Sequence, residues 1–137
     1  MKEKKYQITV TESQLRLIAN CVEDCHRFMG GQMKMQNSTS ILDNFHLIGD
    51  KLQELHSLVV PELHKHHGIQ CSYGWNGGDC PNKYQRRFLA ETYYLYREIK
   101  HFLSKGLAGW CVYHSPTLRC EESGEVITIK ELKDENN

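Results

Sequence analysis

The sequence predicts an α+β fold in which three long helices pack with a small antiparallel sheet, formed by an N-terminal strand and a C-terminal hairpin. Apolar residues recur at steps of three and four in three separate stretches, the signature of amphipathic helices. Short alternating runs, rich in β-branched and aromatic residues, stand at both ends of the chain. The 137 residues, 39% apolar and 25% charged, amount to one domain of ordinary globular composition. Residues 1–132 are expected to form it, with 133–137 a polar tail.

Gln7 to Val10 reads as a strand because Ile8 and Val10 alternate with polar neighbours. Thr11 stands three residues before Gln14, a capping-box spacing, and Leu15, Ile18, Val22, Cys25 and Met29 follow at helical steps. That stripe places Cys21 and Cys25 at or near the core. Gly30 and Gly31 interrupt this helix at about 1 kcal/mol each relative to alanine, so something must offset them. Two readings stay open: a ligand-facing kink, which would let Arg27 and Gln32 share one site, or a helix end with one glycine in left-handed geometry. A second helix begins near Ser40 and carries Leu42, Phe45, Ile48, Leu52 and Leu55 as far as Pro61. Residues 68–82 have loop composition. The third helix spans about Pro81 to Ser104, and Trp110 to Tyr113 and Val126 to Ile129 supply the hairpin.

The third helix separates two faces. Phe88, Thr92, Leu95, Ile99 and Phe102, widened by Leu89, Tyr96 and Leu103, form an apolar stripe. Arg87, Ala90, Tyr94, Arg97 and His101 form a column of cations and an aromatic ring on the other side. Such a column is either a solvated surface or an anion-and-ring site, since arginine forks match phosphates and tyrosine offers a stacking face. At the start of the helix Lys83, Arg86 and Arg87 oppose the macrodipole. With free backbone N–H groups they would make a phosphate-binding corner, with Trp75 or Tyr73 near enough to stack on a base. It is no Walker loop.

Seventeen Lys and Arg balance seventeen Asp and Glu, which argues against nucleic acid as a partner. The N-terminus has no secretory h-region and no run approaches the roughly 18 apolar residues of a membrane span, so a cytoplasmic protein without structural disulfides is expected. His64, His66, His67, Cys71 and Cys80 are potential zinc ligands, but they lack a C-x-x-C knuckle, and no metal is expected. No catalytic motif appears, so neither an enzyme nor a cofactor is expected.

The stretches ITVTESQLRLIANCVEDCHRFMGGQ, YYLYREIKHFL and VYHSP resemble a widespread group of small phage-encoded proteins. Their first helix carries aromatic-Ser-Arg followed by a Gly-Gln pair, and their last helix ends in Arg-x-x-x-His. The resemblance carries over to Arg27, Gly31, Gln32, Arg97, His101 and Tyr113. Cys25 and His26 stand where the aromatic and serine usually do, and the loop holding Cys71 and Cys80 is outside the pattern. The resemblance implies an accessory protein that counters host defence in the host cytoplasm. It would do so by sequestering a nucleotide-derived immune signal of the Thoeris or CBASS kind, a cyclic dinucleotide or cyclic ADP-ribose. The expected ligand-binding set is Arg27, Gln32, Trp75, Lys83, Arg86, Arg87, Tyr94, Arg97, His101 and Tyr113. Three long helices around a limited core, with aromatics left over, predict a homo-oligomer. Two alternatives remain: a protein-binding inhibitor using Trp75, Tyr73, Met33 and Met35, and a nucleic-acid binder using Lys83, Arg86 and Arg87.

Overall fold

Thr11 starts the first helix, α1 (Glu12–Met29), by the exchange its spacing predicts. The computed structural model describes residues 3–32, 36–39, 48, 50–52, 54, 55, 57–59, 73–78 and 80–133. Thr11 Oγ1 accepts from the Gln14 N–H and Gln14 Oε1 accepts from the Thr11 N–H, satisfying two orphan donors. At the other end Gly30 caps the helix and Gly31 turns left-handed at φ 93°. The Gly31 N–H donates to Phe28 O and the Gln32 N–H to Arg27 O at 2.8 Å, the paired bonds of a Schellman turn. The glycines therefore end the helix. Gly30 also admits a close neighbour: it is buried, Leu89 Cδ2 lies 3.5 Å from where a Cβ would stand, and its carbonyl accepts from Tyr73 N–H. Gln85 Nε2 reaches across to Met29 O at 2.7 Å, so the last carbonyls of α1 find partners in other segments.

A short helix, α2 (Gln36–Thr39), follows, and the described residues between Ile48 and Val59 are also helical. The expected cap at Ser40 lies outside the described residues, as do Leu42, Phe45, Met33, Met35, His64, His66, His67 and Cys71. The third helix, α3 (Lys83–Ser104), is capped by Asn82, whose Oδ1 accepts from the Tyr84 and Gln85 N–H groups. α1 packs along α3. One core cluster gathers Ala19, Tyr96 and Ile99 with Leu15, Val22, Tyr93, Leu103, Ile127 and Ile129 around them. A second joins Tyr73, Cys80 and Leu89 beside Met29.

The expected sheet is absent: among the described residues there is no strand, and the fold is helical rather than α+β. Gln7 to Val10 runs without helix or ladder, with Ile8 73% exposed. After α3 the chain makes two 3₁₀ turns, Val112–His114 and Glu121–Ser123, and otherwise follows the helix surface. Its alternation is physical nonetheless. Ile127 and Ile129 are half-buried against the core while Val126, Thr128 and Lys130 face out, so the period of two records packing on helices, not pairing with a strand. The Ile127 N–H donates to Tyr94 Oη, a side chain taking the place of a ladder partner.

The face of α1 also differs from the apolar stripe. Cys21 and Cys25 are exposed, Ile18 is 39% exposed, and the buried positions are Ala19, Glu23, Asp24 and His26. The small Ala19 and Gly30 let α3 approach; between them Glu23 and His26 find partners on α3, and Asp24 on α2. On α3, Phe88 and Leu95 of the expected stripe are over a third exposed, whereas Leu89, Tyr96 and Ile99 are buried.

The loop before α3 lies directly on it at Gly77, which has φ 66° and whose added Cβ would stand 2.8 Å from Leu89 Cδ1 and 3.1 Å from Arg86 Cα. Gly77→Ala is therefore expected to cost about 2–4 kcal/mol of stability in urea denaturation. Gly109→Ala, at φ 79° with nothing within 4 Å, should cost about 1 kcal/mol.

Candidate anion-binding site

Burying a carboxylate in a helix interface demands donors, and Glu23, 5% exposed, has them from three segments. Arg27 on the next turn of α1 places Nε and Nη2 on Oε2, at 3.1 and 2.9 Å. Oε1 receives Lys100 Nζ from α3 and Asn37 Nδ2 from α2. Burial alone would raise the Glu23 pKa, but the hydrogen bonds from Lys100 and Asn37, the Lys100 charge and Arg27 outweigh it and hold the group below the usual carboxylate range. The neighbouring Asp24, 2% exposed, accepts from the N–H groups of Asn37 and Ser38 and so docks α2 on α1.

Beyond Glu23 the cluster becomes cation-rich. Arg27 Nη1 donates to Gln32 Oε1 at 2.8 Å, so the Schellman turn, not a kink, brings these two side chains together. Arg97 is 9% exposed, lies over the Tyr113 ring at 5.0 Å, and makes one long hydrogen bond, 3.4 Å to Val112 O. No carboxylate among the described residues pairs with it. Lys100 approaches the same ring at 5.3 Å. His101 Nδ1 lies 2.7 Å from Tyr113 O; the acceptor is a carbonyl, so that nitrogen carries the hydrogen. Burial, then the Glu23 charge, pushes the Tyr96 phenol above its ordinary value. The Tyr96 and Tyr113 hydroxyls make no hydrogen bond among the described residues, and the Arg27 charge acts on the Tyr96 phenol against its burial. Tyr93 packs edge-on to Tyr96 at 5.6 Å, and Trp75 lies 4.7 Å from Tyr93.

Of the ten expected binding residues, Arg27, Gln32, Arg97, His101 and Tyr113 gather in this cluster, with Trp75 at its edge through Tyr93. The other four are elsewhere. Tyr94, 2% exposed, faces the C-terminal segment, with Arg119 over its ring at 4.9 Å. Arg87 pairs with Glu91 on the surface, and Lys83 lies over Tyr84. Arg86 clamps Glu122 and Cys80 O. At the start of α3, where a phosphate corner is expected, Asn82 takes two of the N–H groups and Arg86 is engaged by Glu122 and Cys80 O. Tyr73, expected on an exposed patch, is 5% exposed. Glu23, Lys100 and Tyr93 were not expected at a site, and Tyr96 was expected only in the apolar stripe; the four-residue spacing of Glu23 and Arg27 was the available signal.

A cavity of about 190 Å³ adjoins the cluster and shares Lys100 and Tyr113 with it, its wall completed by Arg16, Asn20, Ser104 and Cys111 and by the apolar Leu103 and Leu107. Ligand pockets run roughly 300–1,000 Å³, so this cavity is smaller than most. A second cavity, about 250 Å³, offers Glu121 and Glu122 against Arg86 alone, which disfavours anions. The buried Cys80 thiol turns to Gln85 Oε1 at 3.3 Å. Among the described residues no group of three His, Cys, Asp or Glu could hold a metal, and no helix is long and apolar enough to cross a membrane.

No family model, curated protein or solved structure matches this chain.

His26 completes the interface, 7% exposed, with Nδ1 3.0 Å from the Thr92 hydroxyl and the Tyr93 and Tyr96 rings beside it. Burial first, then the Arg27 charge, lowers its pKa from 6.5 to about 4. The unfolded chain takes up this proton at the higher value and the native chain at the lower. Stability from this group is therefore complete above pH 6.5 and falls as the pH drops to about 4. The loss is expected to be on the order of 3 kcal/mol in denaturation midpoints across that window, and His26→Asn should flatten the slope.

Proposed function

We propose that this protein binds and holds a small, phosphorylated, ring-containing molecule without turning it over. Arg97 carries the reading. A nearly buried guanidinium with one long hydrogen bond and no carboxylate partner among the described residues is costly, and a phosphate would match its fork. The Tyr96 and Tyr113 hydroxyls, without a hydrogen bond among the described residues, supply further donors, and the adjoining cavity has room for a sugar phosphate while the ring lies outside it. Glu23, engaged by three side chains, offers no free base, which favours holding over catalysis. The resemblance to small phage proteins rests on Arg27, Gln32, Arg97, His101 and Tyr113, the same residues that converge here. It extends the proposal to sequestration of a nucleotide-derived immune signal, a cyclic dinucleotide or cyclic ADP-ribose.

A self-associating surface is the second reading, favoured by Trp110, Leu107 and Val112, which are 88%, 56% and 51% exposed beside the same cavity wall. Light scattering at micromolar concentration should return more than one chain's mass; a single-chain mass would remove it.

Calorimetry against cyclic dinucleotides and ADP-ribose derivatives, with chromatography of the recovered ligand, tests the main proposal. Binding with intact recovery is expected. Arg97→Lys, which keeps the charge but loses the fork, should weaken affinity about tenfold or more. Bound ligand should also shield Cys111, but not Cys21 or Cys25, from alkylation. No binding across the panel, or an Arg97→Lys variant as tight as the parent, would sink the proposal.

A further inference from the structure

Two buried carboxylates adjoin on α1, Glu23 and Asp24, and Asn37 of α2 serves both. Its backbone N–H donates to Asp24 Oδ1 at 3.0 Å and the Ser38 N–H to Asp24 Oδ2 at 2.7 Å, with the Ser38 hydroxyl on the same oxygen. Those bonds lay α2 on α1 mainly through backbone groups. The Asn37 side chain then turns to the neighbouring carboxylate: Nδ2 lies 2.9 Å from Glu23 Oε1, 3.2 Å from Asp24 Oδ1 and 3.3 Å from Asn20 O. All three are acceptors, which forces the amide nitrogen to face them. A neutral donor at this place serves both carboxylates without drawing Glu23 away from its cations, as a charged donor would.

Glu23 links α2 to the site. Its Oε1 takes Lys100 Nζ as well as Asn37 Nδ2, while Oε2 is held by Arg27 Nε and Nη2. Turning the carboxylate would break bonds at both oxygens, so donors on three helices fix its orientation. Lys100, its side chain 16% exposed, is held in turn at Oε1, with Nζ 5.3 Å from the centre of the Tyr113 ring and the side chain on the cavity wall. We infer that Asn37 is a positioning residue for the anion-binding site: seated on Asp24 and donating to Glu23, it keeps Lys100 at the cavity wall. Its effect on affinity rests on the anion-binding reading above, whereas the link from Asn37 through Glu23 to Lys100 belongs to the chain by itself. Without the amide, Oε1 loses its donor from α2, Glu23 is free to turn, and Lys100 turns with it.

The test is a pair of double-mutant cycles on the intact protein, Asn37→Ala against Lys100→Gln. Asn37→Ala deletes the amide and keeps the backbone bonds to Asp24. In urea denaturation the folding constant of the double variant is expected to depart from the product of the two single effects by about threefold or more, because both side chains act on one oxygen. Calorimetry with cyclic di-AMP, cyclic di-GMP, ADP-ribose and inorganic phosphate supplies the second cycle. Asn37→Ala should weaken whichever of these the parent binds by about threefold to tenfold, and should cost nothing further once Lys100 is replaced. A residue that merely supports the fold would lower affinity equally in both backgrounds. Circular dichroism establishes which variants fold; if Asn37→Ala does not, Ser38→Ala takes its place in both cycles, since it removes a donor to Asp24 at an exposed position and should act in the same direction by about twofold. Additive stabilities, a folded variant that binds as tightly as the parent, or an equal loss of affinity in the Lys100→Gln background would overturn the positioning role and leave anion binding standing. Failure of every compound to bind the parent would overturn the binding reading, and the stability cycle alone then decides whether Asn37 holds Lys100.

Discussion

A carboxylate buried between helices dictates much of what surrounds it, because its desolvation must be met by donors at fixed places. Glu23 draws Lys100 from α3, Arg27 from its own helix and Asn37 from α2, so three segments are located by one side chain. The demand fixes the rotation of α1 about its axis. Once Glu23 and His26 must face α3, Cys21 and Cys25 turn outward whatever their hydropathy. Removing one partner from such a group leaves charge stranded, which makes the network more a specifier of arrangement than a source of net stability. Asp24 repeats the device one residue on, spending its oxygens on the backbone and side chains of Asn37 and Ser38.

The second constraint lies on α3, which is covered on more than one side. α1 takes Tyr96 and Ile99, while the C-terminal segment takes Tyr94, Arg97 and His101. That segment is attached by side chains rather than by a ladder. Ser104 Oγ donates to Tyr113 O, and His114 Nε2 lies 3.1 Å from Ser104 O, which satisfies a terminal carbonyl of α3. An extended chain stitched in this way needs no strand partner, and its inward residues still alternate with outward ones.

The two constraints meet at Tyr113. The segment that covers α3 carries this ring to Arg97 and Lys100, and the Glu23 network holds Lys100 and Arg27 on the other side. Residues more than eighty positions apart in the chain, Arg27 and Tyr113, are thereby brought to one cluster through Glu23 and Lys100. The outcome is a partly shielded group in which Arg27, Arg97 and Lys100 stand near the carboxylates of Glu23 and Asp24, beside two phenol hydroxyls that make no hydrogen bond among the described residues.

Local chemistry was legible in the chain itself. The capping box at Thr11 and the long helix ending at Ser104 each depend on residues within a few positions of one another, whereas the pair Gly30 and Gly31 left a kink and a helix end both open until the backbone bonds decided for the end. Arg27, Gln32, Arg97, His101 and Tyr113 were grouped only by the resemblance to small phage proteins, and nothing in their spacing says they touch. What only the tertiary structure decided was which face of each helix is buried and whether alternating residues pair in a sheet. Hydropathy scores Glu23, His26 and Arg97 as surface residues, because it cannot register a donor supplied from another element. It scores Ile127 and Ile129 as strand residues, because a period of two is the same whether the partner is a strand or a helix face. Burial of a polar group is settled by its partners, and partners are a property of the fold.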